Sequence, residues 1–161
     1  MVGVDSAAEA IDRLEQTGWD YVFIDGPPAF LTVVQEAIEV ADFVLIPIKP
    51  GVLDILATED AVVMARSANA NYMAVLNDVV FQDRNMAKSS RQTLLNHETP
   101  VAETIVYHRI AHIKGMTVGK SGAEVDAGKD TKAAAEIDGL WLEIKAAIAK
   151  AEEKPRAVAD G

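Results

Sequence analysis

Residues 21–30 read YVFIDGPPAF. Four apolar or aromatic residues run into Asp25, and a glycine and two prolines then stop the chain. A run this apolar leaves no polar face, so it predicts a strand buried on both sides, as in a parallel sheet. Ligands of open α/β sheets sit at the C-terminal ends of the strands, which is where Asp25 falls. Two readings fit Asp25 taken alone. It is a Walker B-type carboxylate that orients Mg²⁺ through water, or a strand-end Asp opening an Asx-turn ahead of Gly26-Pro27-Pro28.

The flanking sequence repeats this pattern. Residues 6–17 read as a helix, with Ser6 and Glu9 at capping-box spacing and Gly18 as its stop. A helix over 31–40 follows, with Leu31, Val34, Ala37, Ile38 and Ala41 on one side. FVLIPI, 43–48, is a second continuous apolar strand, and Pro47, which cannot donate a ladder hydrogen bond, marks its C-terminal end. A helix over 52–68, a strand over 72–80, a helix around 86–97 and a strand around 102–107 come next. The glycine-rich stretch 115–130 reads as loop, and a last helix runs over about 131–153. Strands alternating with helices predict βαβ units and a parallel sheet with helices on both faces, in a single α/β domain over residues 1–153. Residues 154–161 read as a flexible tail.

Composition sets the outer limits. A chain of 161 residues that is half apolar can bury a core. It lacks cysteine, which excludes disulfides and thiolate metal sites. No apolar run is long enough for a bilayer span, and the first residues lack the basic start and apolar core of a signal peptide, so a cytoplasmic location is the expectation. A net charge of −10 repels nucleic acid at long range. Any DNA contact must come from a local basic patch or from assembly.

Other residues carry chemistry. Asn77 ends the apolar run YMAVLN, and its amide offers both a donor and an acceptor to a purine edge; an Asn closing a strand into a turn is the alternative. VYHRIAHIKG, 106–115, gathers His108, Arg109, His112 and Lys114. Two histidines four apart suggest metal only with further ligands, so this stretch reads as solvated surface, with Arg109 and Lys114 as DNA or partner contacts. KGMTVGKS, 114–121, imitates a phosphate loop without meeting its pattern. Gly115 and Gly119 enclose three residues where the loop needs four, and GAEVDAGKD is a poor helix start. The loop's N–H groups must converge on one phosphate, so the spacing error disqualifies it.

Taken in order, these segments resemble the ParA/MinD family, the deviant-Walker P-loop ATPases of plasmid and chromosome partition. GWDYVFIDGPPAF (18–30) is similar to the family's Walker B strand and Asp-x-Pro-Pro turn. ADFVLIPIKPGVLDILAT (41–58) resembles the next strand and helix, and AVLNDV (74–79) the strand ending in the adenine-contacting Asn. PVAETIVYHRIAHIKGMTV (100–118) and TKAAAEIDGLWLEI (131–144) are similar to the late strand, its Arg-x-Ala segment and the C-terminal helix. The resemblance covers roughly residues 8–150. It implies a P-loop NTPase-like fold, with Asp25 toward Mg²⁺ through water, Gly26-Pro27-Pro28 as a γ-phosphate switch and Asn77 on adenine. An intact member would bind Mg-ATP, dimerise, bind DNA nonspecifically at the nucleoid and hydrolyse ATP slowly when stimulated by a ParB-like centromere-binding protein. The family's opening strand, Lys-Gly-Gly-x-Gly-Lys-[Ser/Thr] loop and following helix have no counterpart in these 161 residues. The resemblance therefore implies a C-terminal portion of such an ATPase that binds no ATP by itself and leaves strand edges open. The alternative is a non-catalytic paralogue that regulates an intact ParA-type ATPase. The mixed charge of the last helix and EEKPRAVADG argue against a membrane anchor.

Overall fold

Val44 to Ile48 form strand β1, paired in parallel with strand β2 (Tyr72–Leu76), with Val44 opposite Tyr72 and Ile48 opposite Leu76. The computed structural model describes residues 18–26, 31–125 and 131–152, together with Ile11 and Leu14. Helix α1 (Leu31–Val40) precedes β1, and helix α2 (Val52–Ser67) makes the crossover to β2 that parallel pairing demands. A short 3₁₀ turn, Phe81–Asp83, leads into α3 (Arg84–Asn96). Then come α4 (Ile110–Thr117), the single turn α5 (Gly122–Val125) and the long α6 (Thr131–Glu152).

The ends of α2 and α3 show why the chain turns where it does. After α2, Asn69 adopts a left-handed φ of 51°, its N–H bonds the Arg66 carbonyl, and the Ala70 N–H reaches the Ala65 carbonyl. After α3, Glu98 at φ 57° repeats this, with its N–H on Leu95 and the Thr99 N–H on Leu94. Both are Schellman terminations, which satisfy otherwise orphaned helix carbonyls. Pro100 then keeps α3 from resuming.

Side chains alternate across the sheet as the strand period requires. Ile46, Ile48, Ala74 and Leu76 pack with Val62 of α2 and Ala87 and Leu94 of α3. Met73 and Val75 face the other way, onto Leu140 and Ile144 of α6, with Ala102, Val106 and Trp141. The sheet thus has helices on both faces, as expected of an α/β fold.

The expected strand over 102–107 is present in interrupted form. Residues 100–108 run parallel to the far edge of β2, bridging at Ala74–Val101 and Val79–Tyr107. Tyr107 lies six residues after Val101 while Val79 lies five after Ala74, so this stretch holds one extra residue, a bulge. The bulged N–H groups of Glu103 and Thr104 turn away from β2 to the Glu143 carboxylate on α6.

Four expectations need correction. Residues 21–26 form no strand and are exposed, with Phe23 80% accessible. Strand geometry requires a paired neighbour, and this segment has none among the described residues; it rests on α6 through Tyr21 and Phe23, whose rings lie 4.7 and 5.9 Å from that of Trp141. Strand β2 ends at Leu76, because the backbone turns left-handed at Asp78, φ 56°. Pro47 lies inside β1. The Val44 N–H bonds Asn71 and the Ile48 carbonyl accepts from Asn77, so residues 44, 46 and 48 turn toward β2 and Pro47 turns outward, where no donor is required. The segment read as loop from 115 contains the end of α4 and all of α5. Gly115 is buried there because the helices approach so closely that a Cβ would stand 2.9 Å from the Ser121 carbonyl carbon. The expected helix over 6–17 falls mostly outside the described residues; Ile11 and Leu14 within it are helical.

Candidate functional site at the C-terminal edge of the sheet

Strand β1 ends into Lys49, β2 into Asn77 and Asp78, and the third stretch into Tyr107, His108 and Arg109. Parallel strands end on one side, so the topology gathers these residues there without sequence proximity. The Asn77 N–H is held by the Ile48 carbonyl at 2.9 Å. Its side-chain amide is half-buried and has no hydrogen-bond partner among the described residues.

Asp78 is the hub. Its Oδ2 lies 2.7 Å from Lys49 Nζ, and its Oδ1 lies 2.5 Å from His108 Nδ1. The hydrogen bonds from Lys49 and His108 hold the Asp78 carboxyl below the usual carboxylate range. In return, Asp78 by hydrogen bond and charge raises the Lys49 ammonium, with a lesser push from Asp54. One anion thus joins all three strand ends.

Arg109 is turned inward. Its Nε donates to Glu136 Oε2 at 2.9 Å and its Nη2 to Glu136 Oε1, while Glu136 also accepts the Tyr107 N–H at 3.2 Å. This pair ties α6 to the sheet edge. Lys114 stands exposed on α4. Asp25 and Gly26 lie in the exposed segment before α1, and no hydrogen bond or ion pair joins Asp25 to the strand-end cluster among the described residues. Pro27 and Pro28 lie outside the described residues. Asp25 is a single exposed carboxylate, and no group of three or more His, Asp or Glu among the described residues is arranged to hold an ion.

The phosphate-loop look-alike at 114–121 spans a helix end, a left-handed Gly119 at φ 67° and the start of another short helix. It follows no strand, which agrees with its rejection on spacing. No helix among the described residues is long and apolar enough to cross a membrane.

Sequence reasoning missed Lys49, Asp78, Glu136 and Glu143. The available signal was an Asp directly after a strand-end Asn, at a turn position that favours left-handed Asn and Asp. The two glutamates gave none, since on a helix they look like solvated surface.

No protein-family model matches the chain. It is 28% identical over 137 residues to "Maintenance of carboxysome distribution protein A" of Halothiobacillus neapolitanus, a distant likeness covering 82% of this chain. The match spans 63% of that protein, under two thirds of its length.

Proposed function

We propose that this chain carries the base-recognition half of a ParA-type ATPase module that positions a large cellular cargo. The observation that carries this reading is the free Asn77 amide at the C-terminal edge of a parallel α/β sheet, where a purine edge can be read. The collinear ParA/MinD resemblance supports it, and so does the likeness to a protein named for carboxysome distribution. Among the described residues no loop of converging N–H groups follows a strand, which supports the reading that phosphate recognition comes from elsewhere. In this reading Asp25 orients Mg²⁺ only when residues outside this chain supply the phosphate loop. A ParB-like or cargo-borne adaptor, nonspecific DNA and an intact ParA-type ATPase are the partners proposed.

The test is titration of the 161-residue chain with adenosine and, separately, with Mg-ATP, followed by calorimetry and by the Asn77 side-chain amide signals in NMR. Both ligands should bind weakly and about equally, with no phosphate release. Mg-ATP binding much tighter than adenosine, or turnover, overturns the missing phosphate site. Failure of both to move Asn77 overturns the base-recognition role.

A further inference from the structure

Helix α4 buries its small residues and exposes its large ones. Ala111 and Gly115 are buried, and the Lys120–Gly122 backbone lies so close to Gly115 that this face has no room for bulk. Ile110 and Ile113 lie on the opposite face with Lys114 and Thr117, at the i, i+3, i+4, i+7 spacing of one helix face. All four are exposed, and Met116 on the flank of this face is 84% accessible. Val118, just past the helix, is exposed as well. A cluster of large apolar side chains rimmed by charged ones marks an interaction surface, since leaving it in water forfeits their burial.

The charge on this surface narrows the occupant. The chain carries −10, yet residues 104–123 hold no Asp or Glu. Their lysines and arginine are Arg109, Lys114 and Lys120. Arg109 is engaged by Glu136, while the two lysines are exposed beside the apolar side chains. The acids at either end of the stretch have partners of their own. Glu103 pairs with Arg91, and Glu124 accepts the Ser121 N–H at 2.8 Å, though its charge also reaches Lys120. Nucleic acid would pair with the lysines and leave Ile110, Ile113 and Met116 in water. Two lysines also make few phosphate contacts, and an acidic chain repels a polyanion. A twofold pairing of two copies through this face would set lysine near lysine.

We infer that α4 and the residues up to Lys120 form a docking surface for an acidic amphipathic helix of a partner protein. Leu, Ile or Met side chains of that helix, at i, i+3, i+4 spacing, cover Ile110, Ile113 and Met116, and its Asp or Glu residues meet Lys114 and Lys120. Helix α4 is about 12 Å long, so about two to three turns of the partner suffice. Docking here needs no nucleotide and does not depend on the base-recognition reading of Asn77.

The experiment titrates the ¹⁵N-labelled full chain with a synthetic peptide, two repeats of Glu-Leu-Glu-Glu-Leu-Leu-Glu with blocked ends, and follows the backbone amides by NMR. The controls are a peptide of the same composition with the leucine spacing scrambled, one with Lys in place of every Glu, and a mixed-sequence DNA duplex. The Glu peptide should shift residues 110–120 and bind about fivefold or more tightly than the scrambled one. Ile113→Ser should weaken it about fivefold, the worth of part of one apolar side chain. Lys114→Ala should weaken it about two- to fivefold, the reach of an exposed ion pair. Both side chains are exposed, so the spectrum outside this surface should stay that of the wild type. A Glu peptide that leaves residues 110–120 unmoved, or binds no better than the scrambled one, overturns the helical partner. A Lys peptide that shifts these residues as strongly overturns the acidic character. A duplex that shifts them and displaces the peptide makes nucleic acid the occupant and overturns the protein partner. Amides of residues 110–120 that move with protein concentration alone, with a matching rise in sedimentation coefficient, overturn it in favour of a second copy.

Discussion

Glu143 lies 39 residues beyond Thr104 in the chain, yet its Oε1 accepts the Thr104 backbone N–H at 2.8 Å and the Thr104 hydroxyl at 2.5 Å. Its Oε2 accepts the Glu103 N–H at 2.7 Å. A bulge frees N–H groups from the ladder, and this one side chain answers both. The same contact fastens α6 to the sheet.

Glu143→Ala should therefore cost about 1.5–3 kcal/mol, the range for hydrogen bonds to a charged group, read as a lower urea midpoint at pH 7. Glu143→Gln should recover part of it. Burial pushes the Glu143 carboxyl up, but hydrogen bonds from Thr104 and Glu103 and the charge of Arg91 outweigh this and hold it below the ordinary 4.5. A depressed carboxylate stabilises the fold above its unfolded value, and that gain is lost as pH falls through the folded one. The difference in stability between wild type and Glu143→Gln should hold from neutrality to about pH 5 and shrink on further acidification.

Phe23 tests the correction to the fold. Were residues 21–25 a buried strand, Phe23→Ser would be as damaging as a core truncation. Exposed as it is, with a ring contact to Trp141, it should cost about 1 kcal/mol or less. Ile48→Ala, at a site 1% accessible, should cost about 2–5 kcal/mol. Parallel chemical denaturation of the two variants checks this, and equal losses would restore the strand.

Gly115 and Gly119, four residues apart, should behave oppositely. Gly115→Ala drives a methyl into the Lys120–Gly122 backbone and should cost about 1–3 kcal/mol by overpacking. Lys114→Ala next door, on the exposed side, should be neutral within about 0.5 kcal/mol. At the left-handed Gly119, with open space around it, Asn should be tolerated and Val should not. Thermal melts of the four variants suffice.

Arg109 and Lys114, both read as DNA or partner contacts, separate on stability. Arg109→Ala leaves the Glu136 carboxylate, 14% accessible, without its bidentate partner and should lower stability by about 1–3 kcal/mol. Arg109→Lys should not restore it, because lysine cannot make the forked contact. Loss of DNA retention in Arg109→Ala would therefore follow from unfolding as readily as from lost contact. Lys114→Ala gives the cleaner test of the proposed DNA contact, by filter binding against salt.

Apolar periodicity made α1, α2, α3, α6, β1 and β2 legible to within a few residues, and their order alone gave a parallel sheet with helices on both faces. YVFID misled because its composition is that of a strand, whereas strand formation depends on a neighbour that composition cannot show. The stretch from 115 misled for the opposite reason: Gly115 looked like a loop signal, but it serves the close approach of α4 to the Lys120–Gly122 segment. At the site, Asn77 was readable from its place at a strand end. Lys49 and His108 were not, because their roles exist only once the strands are side by side.

Among the described residues the outer side of β1 has no paired strand, and Pro47 gives that side a polarity. The outward rim of β1 can accept a hydrogen bond at this residue but has no proton to give. A neighbouring chain laid along the rim, in either direction, finds a full partner at Leu45 and then a gap. The missing donor weakens edge-on-edge pairing of sheets, the first step toward cross-β fibres, at this point of the rim. An ordinary strand residue in its place would restore the missing donor and remove this obstacle to edge pairing.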